Sequence, residues 1–352
     1  MTTLSKSPRT RPTMRDVAAL SGVSLKTVSR VINGESGVSE NLVTKVREAA
    51  ERLDYQHNLG ASSLRRRDGL TGTIGLMLDD ISNPFSSGLH RAVEDAARER
   101  GVAVFAGSLD EEPERERELA EAFIARRVDG LIIVPTSRDQ SHLAREQSNG
   151  TPIVCLDRPP RLLETDAVYT DNRSSARRAV THLINHGHSA IAFLGDLDSI
   201  RTAVDRRAGY ADAMGDAQLN VDPRLTSSNL RTAEQSTRAV TALLRSEHPP
   251  TAIFASQNLL TMGAALALRE AGFSHSVALV GFDDVPLREL LDPGLTVVIQ
   301  DVETLGSEAA RLLFRRLDGY PGPYEEIVLP AQLIPGGSGE IRGPGLASWE
   351  SK

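Results

Sequence analysis

The chain has 352 residues, 40% of them hydrophobic and 25% charged, which suits a soluble globular protein with a small domain beside a large one. Its single cysteine excludes a disulfide framework and a thiolate metal cluster. No apolar run approaches the roughly 20 residues that span a bilayer, and the polar, basic N-terminus has no apolar secretion stretch, so a cytoplasmic location without membrane contact is expected.

In chain order, residues 1–12 read as a disordered tail. Thr13 followed by Asp16 makes a capped helix start, Val17, Ala18 and Leu20 put apolar groups on one face, and Ser21-Gly22-Val23 ends the helix. Ser24 can cap a second helix, which runs through Val28, Val31 and Ile32 to the stop at Asn33-Gly34. A third starts at Ser39 and carries Leu42, Val43, Val46, Ala49, Ala50 and Leu53 at helical spacing. Residues 13–56 are therefore expected to form an all-α helix-turn-helix domain, the geometry that sets a second helix in the DNA major groove while the first braces on the backbone. Charge agrees: 12 Lys and Arg stand against 7 Asp and Glu from Met1 to Leu70, with 28 against 40 in the remainder, so a basic head sits on an acidic body.

From Thr73 onward short β runs alternate with helices, the mark of parallel βαβ units. The runs are Ile74–Leu78, Val102–Ala106, Gly130–Val134, Ile153–Leu156, Ile191–Leu194, Ala252–Ala255, Val277–Val280 and Thr296–Ile299. Helices such as Pro84–Arg100, Ser174–His186 and Leu259–Ala271 lie between them. So many units over residues 71–340 predict two doubly wound α/β lobes with a ligand cleft between them. Residues 341–352 are expected to be a tail.

The run Met14-Arg15-Asp16-Val17-Ala18 through Gly22-Val23-Ser24-Leu25-Lys26-Thr27-Val28-Ser29-Arg30-Val31-Ile32-Asn33-Gly34 resembles the DNA-binding head of the lactose-repressor (LacI) family. The similarity continues through Val38-Ser39-Glu40 and Leu53-Asp54-Tyr55 and, with the body, covers nearly the whole chain. It implies that Leu25, Lys26, Ser29 and Arg30 read base edges of double-stranded operator DNA. Lys26 and Arg30 can donate to guanine, and Leu25 can touch a thymine methyl. Thr13, Ser24, Thr27 and Asn33 are better placed for phosphates. Taken singly, each also reads as a cap or a solvated charge.

Residues 57–70 resemble the family's hinge helix, whose minor-groove leucine maps onto Leu64; such a wedge kinks DNA. His57 and Gly60 stand where proline and alanine are frequent, and Ser62 where arginine is common. Gly60 costs about 1 kcal/mol of helix propensity relative to alanine.

The body resembles the family's regulatory domain and the periplasmic sugar-binding proteins, a periplasmic-binding-protein-like fold. That resemblance places Asn83, Phe85, Ser86, Asp157, Arg158, Arg206, Gln257, Asp283 and Gln300 on a small-molecule effector, a sugar or derivative. Each lies just past a strand end or at a helix start, where open α/β sheets bind ligands. Carboxylates accept from hydroxyls, arginines donate to oxygens, and an aromatic face packs on C–H groups. Ser86 replaces a frequent second aromatic, another expected near Asn229-Leu230 is missing, and Gln257-Asn258 replaces a more usual Asn-Asp pair. For single residues, strand-end caps and surface ion pairs are the plainer alternative.

His182, His186 and His188 invite a zinc reading, but no glutamate follows His182 as a zinc protease would need, and His186-Gly187-His188 reads as a helix end. No GxGxxG motif follows a strand, so no dinucleotide cofactor is expected and no catalytic residue is assigned. The reading is a sequence-specific transcription regulator, a repressor controlled by a sugar-like ligand, acting as a homodimer on a near-palindromic site. Its rivals are a sugar-transport receptor, which leaves the head unexplained, and an enzyme on the same fold, which lacks a nucleophile.

Overall fold

Three helices, α1 (Met14–Ser21), α2 (Leu25–Ile32) and α3 (Glu40–Arg52), form the first of two units, which runs to Thr71. Val17, Val28, Val31, Val46 and Ala49 meet in its core, each on the apolar stripe of its helix. Gly22 takes φ +65° after α1, with its N–H bonded back to the Ala18 carbonyl. A side chain there would be strained, so glycine makes the sharp turn into α2 possible. The computed structural model describes residues 11–55, 70–136 and 139–345. The hinge expected at 57–70, with Leu64, lies outside them except for Leu70.

The second unit, from Gly72 on, has two lobes. One sheet is built from β1 (Thr73–Leu78), β2 (Ala103–Ser108), β3 (Leu131–Ile133), β4 (Ile153–Leu156), β5 (Asp166–Thr170) and β11 (Glu326–Leu329), in the order β11-β5-β4-β3-β1-β2 and all parallel. Helices α4 (Pro84–Glu99) and α11 (Val302–Leu317) cover one face, where Leu89, Val93, Leu305 and Leu312 join Ile74, Leu76 and Leu78 in one core. The other face takes α5 (Pro113–Ala125), whose Phe123 packs with Met77, Leu131 and Ile133. A sheet covered on both faces needs strands that are apolar throughout, hence the uninterrupted runs. The short α6 (Ala144–Ser148) leads into β4.

The second lobe repeats the plan. Its sheet, of order β12-β10-β9-β8-β6-β7, comprises β6 (Ile191–Leu194), β7 (Thr226–Ser227), β8 (Ala252–Ala255), β9 (Ala278–Phe282), β10 (Thr296–Ile299) and β12 (Gln332–Ile334); only β12 is antiparallel to its neighbour. Helices α7 (Asn172–Asn185) and α8 (Arg201–Asp216) pack together, as do α9 (Ala233–Leu244) and α10 (Asn258–Ala271).

The chain crosses between lobes three times, from β5 to α7, from β10 to α11 and from β11 to β12. The first and third crossings are bonded, Asp171 N–H donating to the Leu329 carbonyl at 3.0 Å, and Arg178 Nη2 of α7 donates to the Ala331 carbonyl at 2.8 Å.

Every expected strand is present, β4, β6, β8 and β10 with the expected ends and the other four with ends shifted by one or two residues. Four more, β5, β7, β11 and β12, are not among the expected strands; β7 has two residues, and β11 and β12 are half-exposed edges. The tail expected from residue 341 is held as far as Gly345. His188 Nε2 bonds the Ile341 carbonyl at 2.8 Å, and Gly343 and Gly345 N–H donate to the His186 and Gly187 carbonyls.

Candidate functional site

In the head, the buried Val28 and Val31 turn one side of α2 to the core and leave Leu25, Lys26, Ser29 and Arg30 around a surface concavity shared with Glu35. Leu25 is 42% exposed, an apolar side chain held out at the helix start. Ser24 caps α2 by accepting from the Thr27 N–H at 3.2 Å, and its hydroxyl meets the Thr27 hydroxyl at 2.9 Å. Thr13 donates from its N–H and hydroxyl to the Asp16 carboxylate, both at 2.7 Å, and those bonds hold the Asp16 carboxyl below its usual range. Asn33 lies one residue past α2 and reaches the Ser29 hydroxyl at 3.4 Å. Arg30 is turned back: Nε donates to Glu35 at 3.3 Å and Nη2 to the Ser36 carbonyl at 2.5 Å. Two of its five N–H groups are thus engaged within the head, whereas Leu25 and Lys26 lie at the other end of α2.

In the large unit, the strand ends and helix starts of the two lobes meet in one cleft. Lobe 1 contributes Asn83, Phe85, Ser86, Asp157 and Arg158, and lobe 2 contributes Arg206, Gln257 and Asp283, so eight of the nine expected ligand residues line it. The ninth, Gln300, sits behind, at the second crossing, and donates from Nε2 to Asp283 Oδ1 at 2.6 Å. Arg206 is locked from four sides: Nε donates to Asn172 at 2.7 Å, Nη1 to the Ser256 carbonyl at 2.7 Å and to Asp283 at 3.2 Å, and its plane lies 3.8 Å over the Phe282 ring. The side chains of Asp157, Arg158, Arg206 and Asp283 are at most 8% exposed, where each bond is strengthened by the low local dielectric.

Arg158 is oriented mainly by Glu111, through bonds of 2.5 and 3.0 Å, with Asp157 3.4 Å from its Nε. Asp157 Oδ1 is buried and has no hydrogen-bond partner among the described residues. Burial pushes the Asp157 carboxyl above its usual range, against the pull of Arg158 and Arg206. Asp79, at the end of β1, is pushed up to about 6 by burial and by Glu111, against Arg231 and Arg158. Asp196 is also raised, by burial first. Glu111, Asp196 and Arg231 carry no local signal in the sequence; Asp79 does, as the first residue after a strand and half of the carboxylate pair Asp79-Asp80, which reads as capping or ligand hydrogen bonding, and so does Asn258, in the Gln257-Asn258 pair. Asn258 matters because it exchanges amide bonds of 2.9 and 3.2 Å with Asn83, lobe to lobe.

Residue types and geometry suit an uncharged, hydroxylated ligand. Acceptors (Asp157, Asp283), locked donors (Arg158, Arg206) and one aromatic ring (Phe85) converge. Among the described residues, no group of three or more His, Cys, Asp and Glu is arranged to hold a metal ion. His182 bonds Glu340 at 2.6 Å and His188 bonds Thr251 and Ile341, so both serve to fasten the C-terminal segment.

Residues 13–58 match the model of bacterial regulatory proteins of the lacI family, and residues 180–339 that of a periplasmic binding protein-like domain. The chain is 34% identical to the ribose operon repressor of Halalkalibacterium halodurans over 92% of its own length and 95% of that protein. The lac repressor dimer, solved bound to operator and an anti-inducer, superposes with a TM-score of 0.82 at 27% identity, covering 94% of this chain and 99% of that one. A regulator from Enterococcus faecium with bound ribose gives 0.70 at 27% identity, over 77% of this chain and all of the other.

Proposed function

The chain belongs to the lacI family of bacterial regulatory proteins, and we propose that it is a repressor that grips operator DNA through α2 and lets go when a sugar fills the cleft. The observation that carries this reading is the Asp283 carboxylate. It is buried in the cleft wall, accepts from Arg206 and Gln300 together, and so joins a ligand surface to a crossing between the lobes. A ligand that draws the lobes onto these groups shifts the crossings, and a head spacing unsuited to the operator follows by linkage. The ribose-bound relative supports a sugar as the ligand class.

Two copies pair through lobe 2. Met262, Leu266, Leu287, Leu290 and Leu291 form an exposed apolar groove there, with Leu287 and Leu290 74% and 77% exposed, side chains that a pairing of two copies would take out of water. A two-fold pair offers two α2 helices to a near-palindrome. The test is a thermal-shift panel of neutral sugars and sugar phosphates, since a ligand selective for the folded state raises the melting temperature. A panel without a single shift counts against the sugar reading.

A further inference from the structure

At the mouth of the cleft stands a guanidinium that no motif singles out. Arg231 precedes α9 on lobe 2, and its Nη2 reaches both carboxylate oxygens of Asp79, on lobe 1, at 3.3 and 3.4 Å. Its Nη1 is buried and has no hydrogen-bond partner among the described residues, although the side chain lines the cleft. A buried donor without an acceptor is costly, so a ligand oxygen that reaches Nη1 gains the full worth of a charge-assisted bond.

The surrounding charge decides what kind of oxygen that is. Asp79, Glu111, Asp157, Asp196 and Asp283 act on this part of the cleft against Arg158, Arg206 and Arg231, so acids outnumber bases. An anionic ligand group meets net repulsion there, while a hydroxyl does not. We infer that Arg231 is a specificity-determining ligand contact whose Nη1 donates to an uncharged sugar oxygen, and that Asp79 is the positioning residue that holds it from the opposite lobe. This rests on the sugar reading of the cleft.

Asp79 faces Glu111 from the loop after β2, Arg158 from the end of β4, and Arg231. Protonating it releases Arg231, so sugar affinity falls as the pH drops through about 6. The experiment is isothermal titration of the full chain with D-ribose, D-galactose, cellobiose and D-ribose 5-phosphate, between pH 5 and 7.5. Arg231→Ala should bind the preferred neutral sugar about tenfold to a hundredfold more weakly. D-ribose 5-phosphate should bind less well than D-ribose, and Asp79→Asn should show a smaller loss at pH 7.5 and a flattened pH profile. If Arg231→Ala binds as wild type while Arg206→Ala has lost binding, the assignment is overturned and the cleft reading stands. Tighter binding of the phosphate than of D-ribose overturns it too, and a wild type that binds no neutral sugar withdraws both the sugar reading and this assignment.

Discussion

Asp157 and Asp283 hold matching places in the two lobes. Each follows the third strand from one edge of its sheet, β4 in lobe 1 and β9 in lobe 2. Each has left-handed backbone, φ 67° and 68°, and donates its N–H to a valine carbonyl of the next strand, Val168 and Val298, both at 2.8 Å. A non-glycine residue held there costs about 1–3 kcal/mol. Aspartate tolerates it better than most, and the turn brings both carboxylates to the cleft from opposite walls. The repeat of sheet order and strand-end geometry makes the cleft a two-walled site.

Asp157→Asn should stabilise the large unit and weaken sugar binding. The folded-state pKa of Asp157 is raised above its ordinary 3.8, chiefly by burial, so the native state holds its proton more tightly and the ionised form opposes folding at neutral pH. Asparagine keeps the left-handed turn without the charge. A gain of about 1 kcal/mol at pH 7 is expected, fading as the pH falls towards 3.8. Thermal melts across that range check it; equal stability at pH 7 goes against it.

Asp283→Ala should act oppositely. It removes the carboxylate between Arg206 and Gln300 and leaves a buried guanidinium, a change that costs about 3–5 kcal/mol when one partner of a buried pair is lost. The response to sugar should vanish while operator affinity in its absence persists. Chemical denaturation and operator titration read the two effects, and an unchanged sugar response would remove Asp283 from the site.

Gly209→Ala should damage the site from a distance. A Cβ at Gly209 would run into the Arg173 carbonyl oxygen where α8 meets α7, and that close approach brings Arg206 to Asn172. Overpacking of this kind costs about 1–3 kcal/mol. The expected result is lower stability with weakened sugar binding; a variant that melts as wild type would show that the helices can part freely.

In the head, Lys26→Ala should cost about 1–3 kcal/mol at a single operator base pair and little elsewhere. Arg30→Ala should cost less than Lys26→Ala, because the bonds of Arg30 to Glu35 and Ser36 hold its guanidinium back on the head. Binding to a set of single-base operator variants separates the cases. A uniform loss for Lys26→Ala would make it a phosphate contact.

Much of this was legible from residue patterns. Apolar runs gave the central strands because a sheet covered on both faces leaves no polar alternation, and Ser24, Gly22 and Asp157 stand where caps, turns and strand ends demand them. What stayed hidden depends on pairing across long stretches of chain. Nothing local to Glu326–Leu329 or Gln332–Ile334 says that these neighbours join different sheets. Glu111 lies in an acidic run before α5 that reads as a solvated helix start, yet it is buried on Arg158. Arg231 reads as a surface charge until Asp79 arrives from the other lobe.

Control of the DNA-binding head by one sugar site is measured by titrating an operator, selected from a pool of random duplexes, with the full chain at fixed salt, with and without the neutral sugar that most raises its melting temperature. Sequence-specific binding that the sugar weakens by about 5- to 150-fold, the usual range of such coupling, is expected. Operator affinity that the sugar leaves unchanged or tightens would contradict it.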